Sequence, residues 1–161
     1  MVHEDWLTIS QLTGIICLSG GTNGDVGLAF LAGNKERMLR SAAKWQERIG
    51  ERYYLEISRT GRLGEEAYLQ EVASVAEHLA IPLVATNDVR FINTEDYEVH
   101  EARVCIQQGR MLSDPRRPKL YSAEQYLRSE AEMCELFADI PEALANSVEI
   151  AKRCNVTVTL G

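Results

Sequence analysis

Asp88 and Arg90 are the residues of this sequence whose types and spacing come closest to a chemical site. They follow a short apolar run, residues 81–85, that predicts a buried strand, and α/β barrels and doubly wound sheets place acids at the carboxyl ends of such strands. Residues two apart in an extended segment point the same way, so the two side chains are expected to share one face. An Asp-x-His pair there could hold a metal ion, whereas Asp-x-Arg is more typical of an ion pair, and a structural role is favoured for Asp88.

Glu56 is a second candidate, because it lies inside a strand predicted at residues 53–57. An inward-facing carboxylate requires a basic partner, and Arg59 or Arg90 could supply it. The glycine-rich turn at residues 20–24 has neither the lysine nor the spacing of a phosphate loop, which favours a strand-to-helix turn.

Residues 110–121 form a basic loop that could contact phosphates, with salt-dependent affinity. Its basic side chains are Arg110, Arg116, Arg117 and Lys119. Asp114 lies among them and the whole chain carries a net charge of -7, so a solvated loop or a docking surface is favoured over a nucleic-acid site.

The composition indicates one ordinary globular domain. The 161 residues are 45% apolar and 25% charged. No apolar run reaches the length of a membrane span, and no signal peptide is evident. Four cysteines without paired spacing indicate reduced thiols in a cytoplasmic protein, and the three histidines have no metal-ligand spacing.

The hydrophobic pattern predicts strands alternating with helices, which right-handed crossovers would arrange as a parallel sheet. The predicted strands are residues 15–19, 53–57, 83–86 and 156–158. The predicted helices are residues 4–12, 25–31, 34–49, 65–79, 95–108, two short ones after Ser122 and Ser129, and one from Pro141 with Leu144, Val148 and Ala151 inward. Thr94 is the predicted N-cap of the fifth helix, and residues 122–153 are predicted to be mainly helical. Four parallel strands cannot close a barrel, so the sequence is typical of the C-terminal part of a larger domain.

Several motifs resemble a known family. They are Leu18-Ser19-Gly20-Gly21, Tyr54-Leu55-Glu56-Ile57, Ala85-Thr86-Asn87-Asp88-Val89-Arg90-Phe91, His100-Glu101-Ala102-Arg103-Val104, Glu132-Met133-Cys134-Glu135-Leu136-Phe137 and the continuation at residues 138–146. Together they resemble the PHP (polymerase and histidinol phosphatase) domain of the bacterial DNA polymerase III alpha subunit family, in its proteobacterial form. The resemblance implies that residues 1–161 are the C-terminal part of a single PHP domain, a distorted, TIM-like (βα) barrel.

The resemblance also implies where a metal site would lie. The family takes a cysteine from a Leu-Ser-Gly-Cys turn and both polar residues of a late Asp-x-His. Here Gly21 and Arg90 occupy the cysteine and histidine positions, and Asp88 alone is retained. Glycine offers no ligand atom and a guanidinium cannot bind a cation, so neither metal nor catalytic residues are expected in this segment.

Three functions follow as hypotheses. The first is a catalytically silent PHP scaffold that docks the proofreading exonuclease and other replicase subunits, inside a polymerase that binds DNA and uses Mg²⁺ elsewhere in the polypeptide. The second is a metal-dependent 3'-5' exonuclease or phosphoesterase, as in members with a full ligand set. The third is a nucleic-acid contact through the basic loop. The isolated segment is expected to expose apolar strand faces and to self-associate.

Overall fold

The computed structural model describes residues 7 and 10–157, which contain three short strands and six α-helices. The strands are β1 (Cys17–Leu18), β2 (Tyr53–Ser58) and β3 (Leu83–Thr86). The helices are α1 (Asp25–Leu31), α2 (Lys35–Ile49), α3 (Glu65–Leu79), α4 (Tyr97–Gln108), α5 (Glu130–Leu136) and α6 (Pro141–Arg153). Single 3-10 turns occupy Gly21–Asn23, Gly50–Arg52 and Thr94–Asp96. Among the described helices, none combines the length and apolar composition needed to cross a membrane.

The strands form one parallel sheet in the order β1-β2-β3, which confirms the predicted parallel α/β arrangement. Leu18 lies opposite Tyr54, and Ile57 lies opposite Ala85. The described residues form an open three-stranded sheet, and the barrel stays a prediction.

The core lies between the sheet and helices α1, α2 and α3. Alternate residues of β2 point to the same face of a strand, and Tyr53, Leu55 and Ile57 are all nearly or completely buried there. Val26, Met38 and Val72 of the three helices are buried in the same core cluster. This layer fixes the direction of the loops that leave the carboxyl edge of the sheet.

Local capping signals predicted several elements well. Asn34 caps α2 by accepting a hydrogen bond from the Arg37 backbone N–H at 2.9 Å, and Gly50 follows the helix with a positive φ of 65°. Ser129 and Glu132 form the predicted capping box of α5. The bounds predicted for α3 and β3 are those that the structure shows.

Two predicted strands need correction. β1 begins two residues later and ends one residue earlier than predicted. At its end, the Ser19 hydroxyl accepts the Glu56 N–H at 2.9 Å in place of a backbone ladder hydrogen bond. The predicted last strand is wrong where it is described: Val156 and Thr157 have no regular structure, and Val158 lies outside the described residues. On the outer side of β3, the Leu83 carbonyl accepts a hydrogen bond from the Asn146 side chain of α6 at 2.8 Å.

Two helix starts also need correction. Ser122 begins no helix, so the helical segment starts at Glu130 rather than at residue 122. The fifth predicted helix, which is α4 in the structure, is preceded by a 3-10 turn. Asn93 and not the predicted Thr94 caps this turn, and it forms a capping box with Asp96.

The inward face of α6 is also different from the prediction. Ala143 is fully buried and Leu144 half-buried, whereas Val148 and Ala151 are exposed. The helix has 13 residues and packs on β3, which has four; a helix of that length spans about 20 Å, and its later turns project past the strand. Of the predicted helix at residues 4–12, most lies outside the described residues, and residues 10–14 form turns.

Candidate functional site

Asp88 lies at the carboxyl edge of the sheet, two residues after β3, in a left-handed conformation with φ 41°. Such a conformation is uncommon outside glycine, asparagine and aspartate. Its carboxylate accepts three contacts: Arg90 Nη2 at 2.6 Å, Arg62 Nη1 at 3.0 Å and Gln125 Nε2 at 2.9 Å. The carboxylate is therefore held by two guanidinium groups and one amide.

Arg62 connects Asp88 to a second, more deeply buried carboxylate. Glu65, in the first turn of α3, is only 5% exposed. It accepts hydrogen bonds from the Thr60 N–H at 2.6 Å, the Thr60 hydroxyl at 2.7 Å and Arg62 Nε at 3.0 Å. Since a buried carboxylate is stable only when paired and hydrogen-bonded, these contacts explain how Glu65 is tolerated. The loop after β2 and the loop after β3 are thus joined through Arg62.

Gln125 attaches a third segment to the same place. It is fully buried, and its side chain donates to both the carbonyl and the carboxylate of Asp88. The Arg90 N–H donates to the Gln125 carbonyl at 2.8 Å, and Phe91 forms a parallel bridge with Tyr126. These pairings place residues 125–127 beside the Asp88 loop.

Glu56 does not take part in this cluster. Its carboxylate accepts a hydrogen bond from the Thr86 hydroxyl at 2.7 Å, across the β2–β3 pair. The predicted partner Arg90 contacts Asp88, and the other predicted partner, Arg59, binds Glu66 and Asp139.

Gly21 lies at the same edge of the sheet, after β1. Because β2 separates β1 from β3, two strand spacings, about 10 Å, lie between the ends of those strands. Gly21 is buried and has φ 54°, and a Cβ built on it would meet no atom within 4 Å. Space for a side chain exists, but the backbone conformation there favours glycine over cysteine.

These residues do not fit a divalent metal ion. Of the three positions that the family resemblance implies, Gly21 has no donor atom, Arg90 carries a positive charge, and Asp88 is already bound to two guanidinium groups. Within the described residues there is no group of three or more His, Cys, Asp or Glu side chains that could hold a metal. We therefore derive no reaction step through a metal at this edge.

His100 packs beside the site without belonging to a ligand set. Its ring meets Tyr121 edge-to-face at 4.7 Å, and the Arg90 guanidinium lies over the Tyr121 ring at 5.4 Å. The His100 Nδ1 atom is buried without a hydrogen-bond partner in the described part of the chain. His78 lies in the last turn of α3, and His3 lies outside the described residues.

The basic loop is divided between a structural and an exposed part. Arg117 forms an ion pair with the buried Glu101 and donates to the Leu112 carbonyl, and the hydrogen bond to Glu101 raises the pKa of Arg117. Arg117 is therefore occupied and not placed for phosphate contact. Arg116 is 89% exposed beside Asp114, and Arg110 and Lys119 are exposed.

Arg62, Glu65 and Gln125 are members of the cluster that sequence reasoning missed. Gln125 carried one signal, its capping-box spacing to Ser122, and its side chain does accept the Ser122 N–H at 3.0 Å. That pattern predicted a helix, whereas the same side chain also reaches Asp88. No local sequence pattern indicates that Arg62 contacts Asp88, because the two residues lie in loops that follow different strands.

Comparison with known proteins first finds similarity to the PHP domain family, whose model matches residues 1–60. All 161 residues align with the DNA polymerase III subunit alpha of Vibrio cholerae at 57% identity, and with that of Escherichia coli K12 at 56%. The Haemophilus influenzae subunit is 52% identical over 160 residues, 99% of this chain. The chain spans 14% of the length of each of these relatives. The resemblance predicted from the sequence motifs is thus confirmed: the chain matches a segment of DNA polymerase III alpha subunits that includes PHP-domain sequence.

Proposed function

We propose that the intact protein is the DNA-synthesising subunit of a bacterial replicase and that this segment is its non-catalytic PHP scaffold. The alignment of the whole chain with named alpha subunits at 56–57% identity supports the first part. In this proposal the protein acts in the cytoplasm as a DNA-directed DNA polymerase, and Mg²⁺ ions bound elsewhere in the polypeptide assist nucleotide transfer to the primer.

The cluster around Asp88 supports the scaffold role. A metal-dependent phosphoesterase needs carboxylates and imidazoles that are free to coordinate ions. Here the Asp88 carboxylate instead neutralises Arg62 and Arg90, and with Gln125 it joins three loops at one edge of the sheet. This arrangement serves to hold loops in place, which is what a docking platform requires. The proposed partners are the proofreading exonuclease and other replicase subunits.

The decisive experiment compares the intact protein with its Asp88→Asn variant. Both are purified without added metal, analysed for zinc and manganese, and assayed for phosphoester cleavage and for primer extension. We expect no stoichiometric zinc or manganese bound by this segment, no cleavage that depends on Asp88, and primer extension within about twofold of wild type. Within the described residues, the side-chain contacts of Asp88 are those of the cluster around it. Stoichiometric zinc or manganese together with a cleavage activity that Asp88→Asn abolishes would establish the phosphoesterase function instead.

Docking requires its own measurement. The intact protein and the purified exonuclease subunit are mixed and their affinity is measured by interferometry, with the Asp88→Asn variant beside wild type. The complex is expected to form with both proteins, because docking does not depend on metal. If wild type does not bind the exonuclease subunit, the docking role is wrong, whatever the metal analysis shows.

A further inference from the structure

A groove runs along the amino-terminal edge of the sheet, at the opposite end of the strands from Asp88. Two cavities, with volumes of about 350 and 800 Å³, meet there at residues 80–82, which join α3 to β3. The first cavity lies between this connection and the end of α2, and the second lies between α3 and the first two turns of α6. We call the two cavities together the amino-edge groove.

Small side chains create the space in the amino-edge groove. Ala73 and Ala76 are three residues apart and share one side of α3, and Ala80 follows at the C-cap of the helix. Ala143 of α6 lines the same cavity and is completely buried. Because both helices present methyl groups, the gap between them is not filled. The other apolar residues of this lining are Ile81, Pro82, Leu83 and Ile140.

Three glutamates also line the amino-edge groove, and they are Glu51, Glu77 and Glu142. All three are exposed, and none of them forms an ion pair with another described residue. Among the described residues, no lysine, arginine or histidine lines either cavity. The groove therefore combines an apolar floor with three formal negative charges that have no basic side chain beside them.

Hydrogen bonds hold the walls of the amino-edge groove in place. The Gln46 side chain of α2 donates to the Leu79 carbonyl at the end of α3, at 2.7 Å. The Asn146 side chain of α6 donates to the Leu83 carbonyl at the start of β3, at 2.8 Å. A groove that is ordered before binding loses less conformational entropy when a partner arrives.

We propose that the amino-edge groove docks a basic segment of a partner protein that carries apolar anchors, such as an amphipathic helix with lysine or arginine beside leucine. The basic side chains would pair with Glu51, Glu77 and Glu142, and the apolar side would cover the alanine-lined floor. This proposal goes beyond the docking role given above, because it assigns a surface and states the chemistry of the segment that binds there. It does not rest on the identity of the replicase partner.

The charge of the amino-edge groove argues against two other occupants. A nucleic acid would bring phosphates close to three carboxylates, and like charges repel. A second copy of this chain carries a net charge of -7 and would be repelled as well. A basic protein segment matches both the charge and the apolar floor.

The first test measures fluorescence anisotropy of a labelled amphipathic peptide of about 18 residues, lysine on one side and leucine on the other, with the intact protein. The charge variant removes the three carboxylates of the groove by the substitutions Glu51→Gln, Glu77→Gln and Glu142→Gln. Its matched control changes the net charge equally at three exposed glutamates outside the groove, by Glu36→Gln, Glu95→Gln and Glu98→Gln.

A second pair of variants tests the apolar floor. Ala73→Phe places a ring in the groove from α3 without changing the charge. Ser74→Phe is its control, because the exposed Ser74 is the next residue of α3 and does not line the groove. Circular dichroism verifies that each variant is folded.

We expect the peptide to bind wild type with an affinity that falls with added salt. The charge variant should weaken binding about tenfold or more and Ala73→Phe about threefold or more, while both controls stay within about twofold of wild type. A peptide of the same composition whose lysines and leucines are not segregated to two sides should bind about threefold or more weakly than the amphipathic one.

Three results would overturn the proposal. The first is no binding to wild type, or an equal loss in the charge variant and its control, since the attraction would then lie outside the groove. The second is equal binding of the two peptides, because charge alone would then suffice. The third comes from sedimentation of the intact protein: if it self-associates and Ala73→Phe abolishes the association, a second copy occupies the groove and the proposal is wrong.

Discussion

The two arginines that share Asp88 should contribute unequally to stability. Arg62 is 21% exposed and lies 3.0 Å from the carboxylate, whereas Arg90 is 39% exposed at 2.6 Å. A double-mutant cycle measures each pair separately. The substitutions are Arg62→Gln, Arg90→Gln and Asp88→Asn. Asparagine is chosen because it tolerates the left-handed conformation of residue 88, which alanine would strain.

The magnitude follows from distance and exposure. Two unit charges near 3 Å attract by about 5 kcal/mol at an effective dielectric constant of 20, and desolvation and side-chain ordering offset most of this. For the less exposed pair, Arg62–Asp88, we expect a coupling free energy of about 1.5 kcal/mol. For Arg90–Asp88, where water screens the guanidinium more, we expect about 0.5 kcal/mol, as in exposed ion pairs. Arg62→Gln also removes the contact between Arg62 and Glu65, both when residue 88 is aspartate and when it is asparagine. The free energy of that contact therefore cancels from the coupling free energy.

The assay is urea unfolding of the 161-residue chain, followed by tryptophan fluorescence and circular dichroism so that two-state behaviour is verified. Lys152→Gln and Glu149→Gln on α6, a pair whose side chains are 66% and 57% exposed, provide the control cycle, with an expected coupling below about 0.5 kcal/mol. A coupling for Arg62–Asp88 no larger than that of the control pair would refute the view that this cluster holds the loops together.

Three further outcomes follow from other parts of the structure. Gly27→Ala should destabilise the chain by about 1–3 kcal/mol in urea unfolding, although alanine normally favours a helix, because its Cβ would lie 2.2 Å from the Gly21 carbonyl oxygen. Arg59→Met should cost about 2 kcal/mol in the same assay, since the 16% exposed guanidinium binds two carboxylates and a carbonyl. Glu132 has a pKa lowered to about 2, chiefly by the Ser129 hydroxyl, so its stabilisation is present above pH 4.5 and lost as the pH falls from 4.5 towards 2. The stability difference between wild type and Glu132→Gln, measured across that range, should shrink accordingly.

A specific result would contradict each of these three predictions. A Gly27→Ala chain as stable as wild type would mean that α1 does not approach the Gly21–Asn23 turn closely. For Arg59→Met the control is Arg40→Met on the exposed side of α2. An equal decrease in the free energy of unfolding in both variants would contradict the stabilising role of the Arg59 contacts. A difference between wild type and Glu132→Gln that persists unchanged at pH 2 would contradict the lowered pKa.

Most elements could be predicted because their signals are local. The bounds of α3 follow from an apolar stripe between Gly64 and Pro82, and those of α2 and α5 from a side-chain cap at the first turn. The prediction failed at Ser122 because its capping-box partner, Gln125, is used at the same time by a residue 37 positions away in the chain. It failed at Val156 because a strand also needs an available sheet edge, which a single segment cannot reveal.

The sequence by itself determined most of the strands and helices and the similarity to a known family, since both depend on residue identity and local spacing. It also shows that Gly21 offers no ligand atom and that Arg90 carries a positive charge. Only the tertiary structure decided which groups Asp88 contacts. Arg62 and Gln125 reach it from separate loops, and such contacts depend on how the loops after parallel strands meet at one edge of the sheet. The partner of a charged side chain is therefore set by packing between residues that are far apart in the chain, whereas the chemistry open to each side chain follows from its residue type.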